Sequence, residues 1–194
     1  VKKLSKAKMD VSVLIIGGHL PPLYDKKNYE LTKQESKKAL KILGVKNTYY
    51  FDLPATEFHQ KYYKIMNSKM SILINRLNPK TVFIPFPDRH IDHRTVFDCS
   101  MVNTRPNKKK YPKFVLSYET LSETHWNAPY IEPNFVPDFF VNIDDTIKDK
   151  LTALNCYKSQ IKDNKSRSLK SVKALANFRG SQNGCDFAEG LKLI

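Results

Sequence analysis

The stretch Thr81-Val82-Phe83-Ile84-Pro85-Phe86-Pro87-Asp88-Arg89-His90-Ile91-Asp92-His93-Arg94 decides how the rest of the chain is read. Thr81 to Ile84 is a short apolar run rich in β-branched residues and closed by proline, the pattern of a strand buried on both faces. Directly after it come two histidines and an acid within four residues. In open α/β sheets ligands collect outside the carboxyl ends of parallel strands, so this is where chemistry is sought.

Working upstream, His59 to Leu77 carries Tyr62, Met66, Met70, Leu73 and Leu77 at helical spacing, with Met66 and Met70 assigned to the core, and Pro79 prevents its extension. Asn47 to Asp52 reads as a strand. From Glu30 a helix is expected, with Leu31, Ala39, Ile42 and Leu43 on one side and Gly44 as C-cap. Val11 to Ile16 is a β-branched strand stopped by Gly17-Gly18. Val1 to Met9 reads as the end of a helix, which raises the expectation of a preceding piece with a first strand.

Downstream, a helix is expected from about Arg94 to Asn103. Strand and helix thus alternate three times, which argues for right-handed βαβ units and a mainly parallel sheet. After a lysine-rich loop at Asn107 to Lys110, further strands are expected at Lys113 to Glu119 and Pro137 to Ile143. Between these two lies an irregular segment holding His125, Trp126, Pro129 and Pro133, longer than a mere connection requires. Asp144 or Asp145 is expected to cap a helix with the stripe Ile147, Leu151, Leu154 and Ile161. A last helix runs from about Ser168 to Arg179 and stops at Gly180.

The 194 residues suit one domain, read as spanning 1–194. No run approaches the ~20 apolar residues of a membrane span, and no signal peptide is recognisable. Cys99, Cys156 and Cys185 lack metal or redox spacing, which points to free thiols in a reducing, cytoplasmic compartment. The net charge of +14 invites a nucleic-acid reading, but six arginines stand against 27 lysines, and the lysines are scattered over nearly every segment. That distribution describes solvated faces rather than a nucleic-acid surface, so no nucleic-acid partner is expected. Self-association into a homo-oligomer stays open.

Two imidazoles three residues apart at a strand end can face one crevice. One could hold a metal while the other donates a proton, and the acid between them could accept the far N–H of a histidine. Two surface histidines in a polar loop would give the same spacing. Arg105 suits an anionic part of a substrate or a salt bridge. Tyr118 ends a strand, where it can meet a substrate. Trp126 could line a sugar pocket or serve as a packing anchor. His19 and Asp25 are further candidate metal ligands, although a histidine in a proline loop is more often simply exposed.

Val82 to Val96, with its proline-rich strand end and His90-Ile91-Asp92-His93-Arg94, resembles the second motif of the LmbE/PIG-L family of zinc-dependent de-N-acetylases. Glu35, Ala39 and Leu43-Gly44-Val45 resemble the family's helix ending in Leu-Gly, and Leu53-Pro54 follows the next strand as in that family. Cys156-Tyr157-Lys158-Ser159-Gln160, Arg179-Gly180-Ser181-Gln182 and Ala188-Glu189 resemble its C-terminal signatures. The resemblance implies a Rossmann-like three-layer α/β sandwich and zinc-dependent hydrolysis of the N-acetyl group of an N-acetylglucosamine-type small molecule. It implies His93 as the Zn2+ ligand, His90 as the residue that stabilises the oxyanion and protonates the leaving amine, and Asp92 as the residue that orients a histidine. The family's first motif, His-Pro-Asp-Asp-Glu, which supplies further zinc ligands and the general base, is not found in these residues. Gly17-Gly18-His19-Leu20-Pro21-Pro22 imitates it without the aspartates. From that difference follow the expectations of weak zinc binding and impaired activity, with an inactive sugar-binding or assembly module as the alternative. An arginine that the family places near Glu35 is replaced here by Thr32 or Lys33.

Overall fold

The computed structural model describes residues 1–106, 110–128, 130–162 and 165–194. Its elements, in order, are α1 (Lys2–Lys6), β1 (Ser12–Gly18), α2 (Lys26–Leu43), β2 (Asn47–Pro54), α3 (Tyr63–Leu77), β3 (Thr81–Pro85), α4 (Ile91–Asn103), β4 (Phe114–Tyr118), β5 (Phe139–Asn142), α5 (Ile147–Leu154), α6 (Leu169–Ser181) and β6 (Ala188–Leu193). The fold is the mixed α/β arrangement expected from the alternation. β1 pairs with β2 and β3 with β4 in parallel, while β6 runs antiparallel to β4. The strands form two sheets, β1-β2 and β3-β4-β6-β5. The chain divides into two compact units, Val1–Pro54 with Val141–Glu189 and Ala55–Phe140 with Gly190–Ile194.

In the first unit, α2 begins earlier than its apolar stripe suggests because Asp25 caps it, its carboxylate accepting the Lys27 N–H at 2.8 Å. It ends at Gly44, whose φ of 74° is the left-handed C-cap conformation that favours glycine. The buried Glu35 on this helix accepts hydrogen bonds from the Ser159 N–H at 2.9 Å and the Ser159 hydroxyl at 2.6 Å. Two widely separated stretches of the family resemblance therefore meet in one contact. Ile143, Ile147 and Ala176 form a buried cluster covered by Val141, Leu151 and Phe187.

Three expectations are corrected here. β1 runs on through Gly17-Gly18, and α5 ends at Leu154, short of Ile161. Neither Asp144 nor Asp145 caps α5: Asp144 accepts the Phe187 N–H at 2.6 Å, and Asp145 pairs with Lys3 and Lys6.

In the second unit, Met66, Met70 and Leu73 are the buried face of α3, as the spacing predicts. The turn before it, Phe58–Tyr62, is π-helical, and His59 lies within it without capping. α4 begins at Ile91 rather than Arg94, with His90 as its N-cap. β6 is a strand that its residue types do not announce, since it has no β-branched residue. Asn107 to Lys109 of the lysine-rich loop, and Pro129, lie outside the described residues.

Candidate functional site

Past the end of β3, the Phe86 N–H donates to the Tyr118 carbonyl at 2.9 Å, and the Asp88 N–H turns back to the Phe86 carbonyl at 2.8 Å. This turn drives the Asp88 side chain inward to zero exposure. Its carboxylate collects the His90 N–H at 3.0 Å, the Thr124 hydroxyl at 2.8 Å, and His93 Nδ1 at 2.8 and 2.9 Å on its two oxygens. Burial alone would raise its pKa. The bonds from His93, the His90 amide and Thr124, with the charge of His93, outweigh burial and hold it below the usual carboxylate range. Asp88 is thus an ionised acceptor, and His93 Nδ1 must carry the proton. When the ring is neutral, Nε2 of His93 is left with a free lone pair.

His90 is set the other way. Its Nδ1 accepts the Asp92 N–H at 3.2 Å, and since a backbone amide can only donate, the neutral ring carries its proton on Nε2. The two rings lie stacked with centroids 4.9 Å apart and planes 26° apart. The pair therefore combines one Nε2 that can accept or ligate with one that can donate.

Asp92 does not orient a histidine through its side chain. Its Oδ2 accepts the Thr56 N–H at 2.7 Å, and its buried Oδ1 has no hydrogen-bond partner among the described residues. Thr56 holds the unusual φ of 71°, a strained choice for a β-branched residue, to make this contact. The histidine-orienting role expected of Asp92 falls to Asp88, which the sequence marks only as a charge beside the pair.

Around this pair, Arg94 bonds the Asp88 carbonyl at 2.5 Å and also forms an ion pair with Glu132. The Ala128 N–H, with Arg94 and Arg89, keeps the Glu132 carboxyl below its usual range despite some desolvation. Tyr118 is 40% exposed as a residue, yet desolvation of its hydroxyl and the charge of Asp88 push its pKa up to about 12. Trp126 is 55% exposed, so it is no buried anchor, and its carbonyl accepts from Arg89 at 3.0 Å. Arg105 lies exposed beyond α4.

Sequence reasoning missed Thr124, whose hydroxyl accepts the Thr120 N–H at 2.8 Å while donating to Asp88. It also missed the pairing of His125 Nε2 with Glu119 at 3.0 Å. No spacing rule reveals either, because both depend on the path of an irregular loop. His19 packs on the Tyr24 ring at 4.4 Å, and Asp25 is used as a helix cap.

A catalytic zinc takes three protein ligands and keeps an open position. His93, with Nδ1 on a buried carboxylate and Nε2 free, has the arrangement of a single such ligand. Among the described residues, however, no group of three or more histidine, cysteine or acidic side chains is placed to hold a metal ion. The described residues do not fit a complete zinc site.

Residues 3–102, just over half of the chain, match the GlcNAc-PI de-N-acetylase (PIG-L) family. The chain belongs to this family of LmbE/PIG-L de-N-acetylases. It is 31% identical over 133 residues to the uncharacterized deacetylase YaiS of Escherichia coli (strain K12), the match covering 65% of this chain and 64% of that one. The chain thus spans less than two thirds of this curated relative. In three dimensions it is similar to the N,N'-diacetylchitobiose deacetylase of Pyrococcus horikoshii, with TM-score 0.75, 20% identity, and coverage of 100% of this chain and 76% of that one. A conserved protein of Thermus thermophilus gives TM-score 0.74 at 20% identity, over 98% of this chain and 84% of that one. The likeness establishes the Rossmann-like deacetylase fold. Among the described residues no helix is long and apolar enough to cross a membrane.

Proposed function

We propose that the protein is a hydrolase that removes the N-acetyl group from N-acetylglucosamine-type amino sugars. The observation that carries this reading is the stacked histidine pair at the end of β3, with its two rings held in opposite tautomers. Amide hydrolysis needs a donor for the oxyanion of the tetrahedral intermediate and a proton for the departing amine. His90, whose neutral ring keeps its proton on Nε2, takes both tasks. Asp92 acts beside it by offering its amide to His90 Nδ1, while Tyr118, Trp126 and Arg105 contribute substrate contacts. Membership of a de-N-acetylase family and similarity to a diacetylchitobiose deacetylase support the substrate class. Zinc is the group that family resemblance implies, with His93 Nε2 as its donor. A single donor holds zinc weakly, which is why we read the activity of this chain as impaired. The free thiols of Cys99, Cys156 and Cys185 accord with a cytoplasmic setting.

That the described residues hold no group of three or more side chains placed to bind a metal ion favours one second reading, a sugar-binding module without turnover. Both readings are tested by incubating the protein and its His90→Ala variant with zinc and N-acetylated chito-oligosaccharides, assaying free amine and bound sugar. Slow amine release lost in His90→Ala supports the hydrolase. Bound sugar without release supports the module. Release that His90→Ala leaves intact overturns the role of His90, and neither release nor binding overturns both readings.

A further inference from the structure

At the amino ends of β3 and β4 the second unit gathers cationic and apolar side chains. The Lys113 and Phe114 N–H groups both donate to the Lys80 carbonyl, at 2.8 and 3.2 Å, which ties the loop after α3 to the start of β4. Lys80, Lys110 and Lys113 stand exposed in these two segments. Among the described residues none of the three makes an ion pair, whereas Lys2, Lys3, Lys6 and Lys46 each meet an aspartate. Residues 78–80 and 110–113 include no acid. The carboxylate that reaches β6, Asp138, is already taken by Lys192 and the Leu193 N–H.

Aromatic side chains are interleaved with these cations. Tyr111, between Lys110 and Lys113, is 46% exposed, and Phe114 is 53% exposed. Phe114 continues into an apolar row on one face of the sheet. Alternate residues of a strand share a face, so Phe114 lies with Leu116, whose partners across the strands are Phe83 on β3 and Leu193 on β6. Phe83 and Leu193 are also exposed, on either side of a buried Leu116. The other face is filled, with Ile84, Val115 and Ser117 all buried. Uncompensated positive charge calls for an anionic partner, and exposed rings call for one that offers apolar material at the same place. The interface of an anionic bilayer offers both, headgroup charge above acyl chain. Lysine, a hydrated point charge, suits that diffuse charge, whereas arginine forks serve nucleic acid better.

We propose that this end of the second unit docks on anionic lipid surfaces, with Lys80, Lys110 and Lys113 over the headgroups and Tyr111 and Phe114 at the interface. The histidine pair lies past the carboxyl end of β3, at the opposite end of the same strand, so docking leaves it on the side away from the bilayer. This assignment goes beyond amide hydrolysis and does not depend on it, because vesicle binding needs no turnover.

The test is flotation of the 194-residue protein with vesicles of phosphatidylcholine alone and of equal parts phosphatidylcholine and phosphatidylglycerol. At low salt the anionic vesicles should bind about tenfold or more tighter, and added salt should weaken that binding. A lysine near an anionic surface contributes about fivefold, so the double variant Lys110→Gln, Lys113→Gln should lose roughly tenfold or more. Tyr111→Ser should weaken binding while leaving its salt dependence in place. The double variant Lys37→Gln, Lys38→Gln, on the exposed side of α2, removes the same charge elsewhere and should bind as the parent does. A thermal melt of each variant separates lost binding from lost folding. Equal binding to the two vesicle types, no loss in the folded Lys110→Gln, Lys113→Gln variant, or an equal loss in the α2 variant would overturn the proposal. Binding of an oligothymidylate through Lys110 and Lys113 without binding to vesicles would overturn it too, and would assign the patch to nucleic acid.

Discussion

His93 is held by Asp88 and not by Asp92: its Nδ1 meets both oxygens of the fully buried Asp88 carboxylate, at 2.8 and 2.9 Å. Asp88 also satisfies the Thr124 hydroxyl and the His90 amide. Asp88→Asn keeps the shape but replaces an ionised acceptor with a neutral group that offers N–H to donors. It is expected to cost roughly 2–4 kcal/mol of folding stability at neutral pH, as for other losses of a buried charged acceptor. Urea unfolding measures this, and a cost below ~0.5 kcal/mol would contradict the network.

Glu35 and Ser159 join α2 to the turn after α5 through two bonds to one buried carboxylate. Glu35→Ala leaves the Ser159 N–H and hydroxyl without that acceptor, and about 2–3 kcal/mol should be lost. The denaturation midpoint should fall while its slope stays constant. An unchanged midpoint would show that water replaces the carboxylate without cost.

Gly180 lies on α6 where the chain packs directly against its own return, and a Cβ would stand 2.6 Å from Asp186 C and from the carbonyl oxygens of Cys185 and Asp186. Backbone cannot give way as a flexible side chain can. Gly180→Ala should therefore destabilise by roughly 1–3 kcal/mol, the range for overpacking, although alanine is the better helix former. A stabilised variant in thermal unfolding would refute the close approach.

Asp138 ties down the C-terminal strand, accepting from Lys192 Nζ at 2.5 Å and from the Leu193 N–H at 2.8 Å. The Lys192 bond, then the Leu193 amide, keep its pKa below the ordinary carboxylate value. A folded pKa below the unfolded one means the contact contributes fully above the unfolded value and is lost as pH falls toward the folded one. The Leu193 amide resonance should move through an acid titration with a midpoint below the ordinary aspartate value, and Asp138→Asn should abolish that step. A midpoint at or above the ordinary value would contradict the pairing.

Much of the scaffold is legible in the sequence because it rests on local chemistry. Thr81–Pro85 is bounded by its own residue types, and Gly44 marks its helix end through the left-handed φ that only glycine adopts freely. β6 is not legible, because Ala188-Glu189-Gly190-Leu191-Lys192-Leu193 has no β-branched residue and is a strand by virtue of pairing with β4. The site is half legible. His90 and His93 announce themselves by spacing, but the choice of Asp88 over Asp92 depends on the Phe86–Asp88 turn and on helix α4 starting at Ile91, which sends the Asp92 side chain to Thr56. Thr124 reaches Asp88 from a distant segment, and nothing in its sequence neighbourhood distinguishes it.

The two stacked imidazoles are held in opposite tautomers by an amide on one side and a carboxylate on the other. A long-range proton–nitrogen correlation spectrum of the 15N-labelled protein, recorded at mildly alkaline pH, reads both rings at once. The prediction is the Nε2–H form for His90 and the Nδ1–H form for His93, with the His93 pattern altered in Asp88→Asn. The same Nε2–H tautomer at both rings, or a His93 pattern indifferent to Asp88, would contradict it.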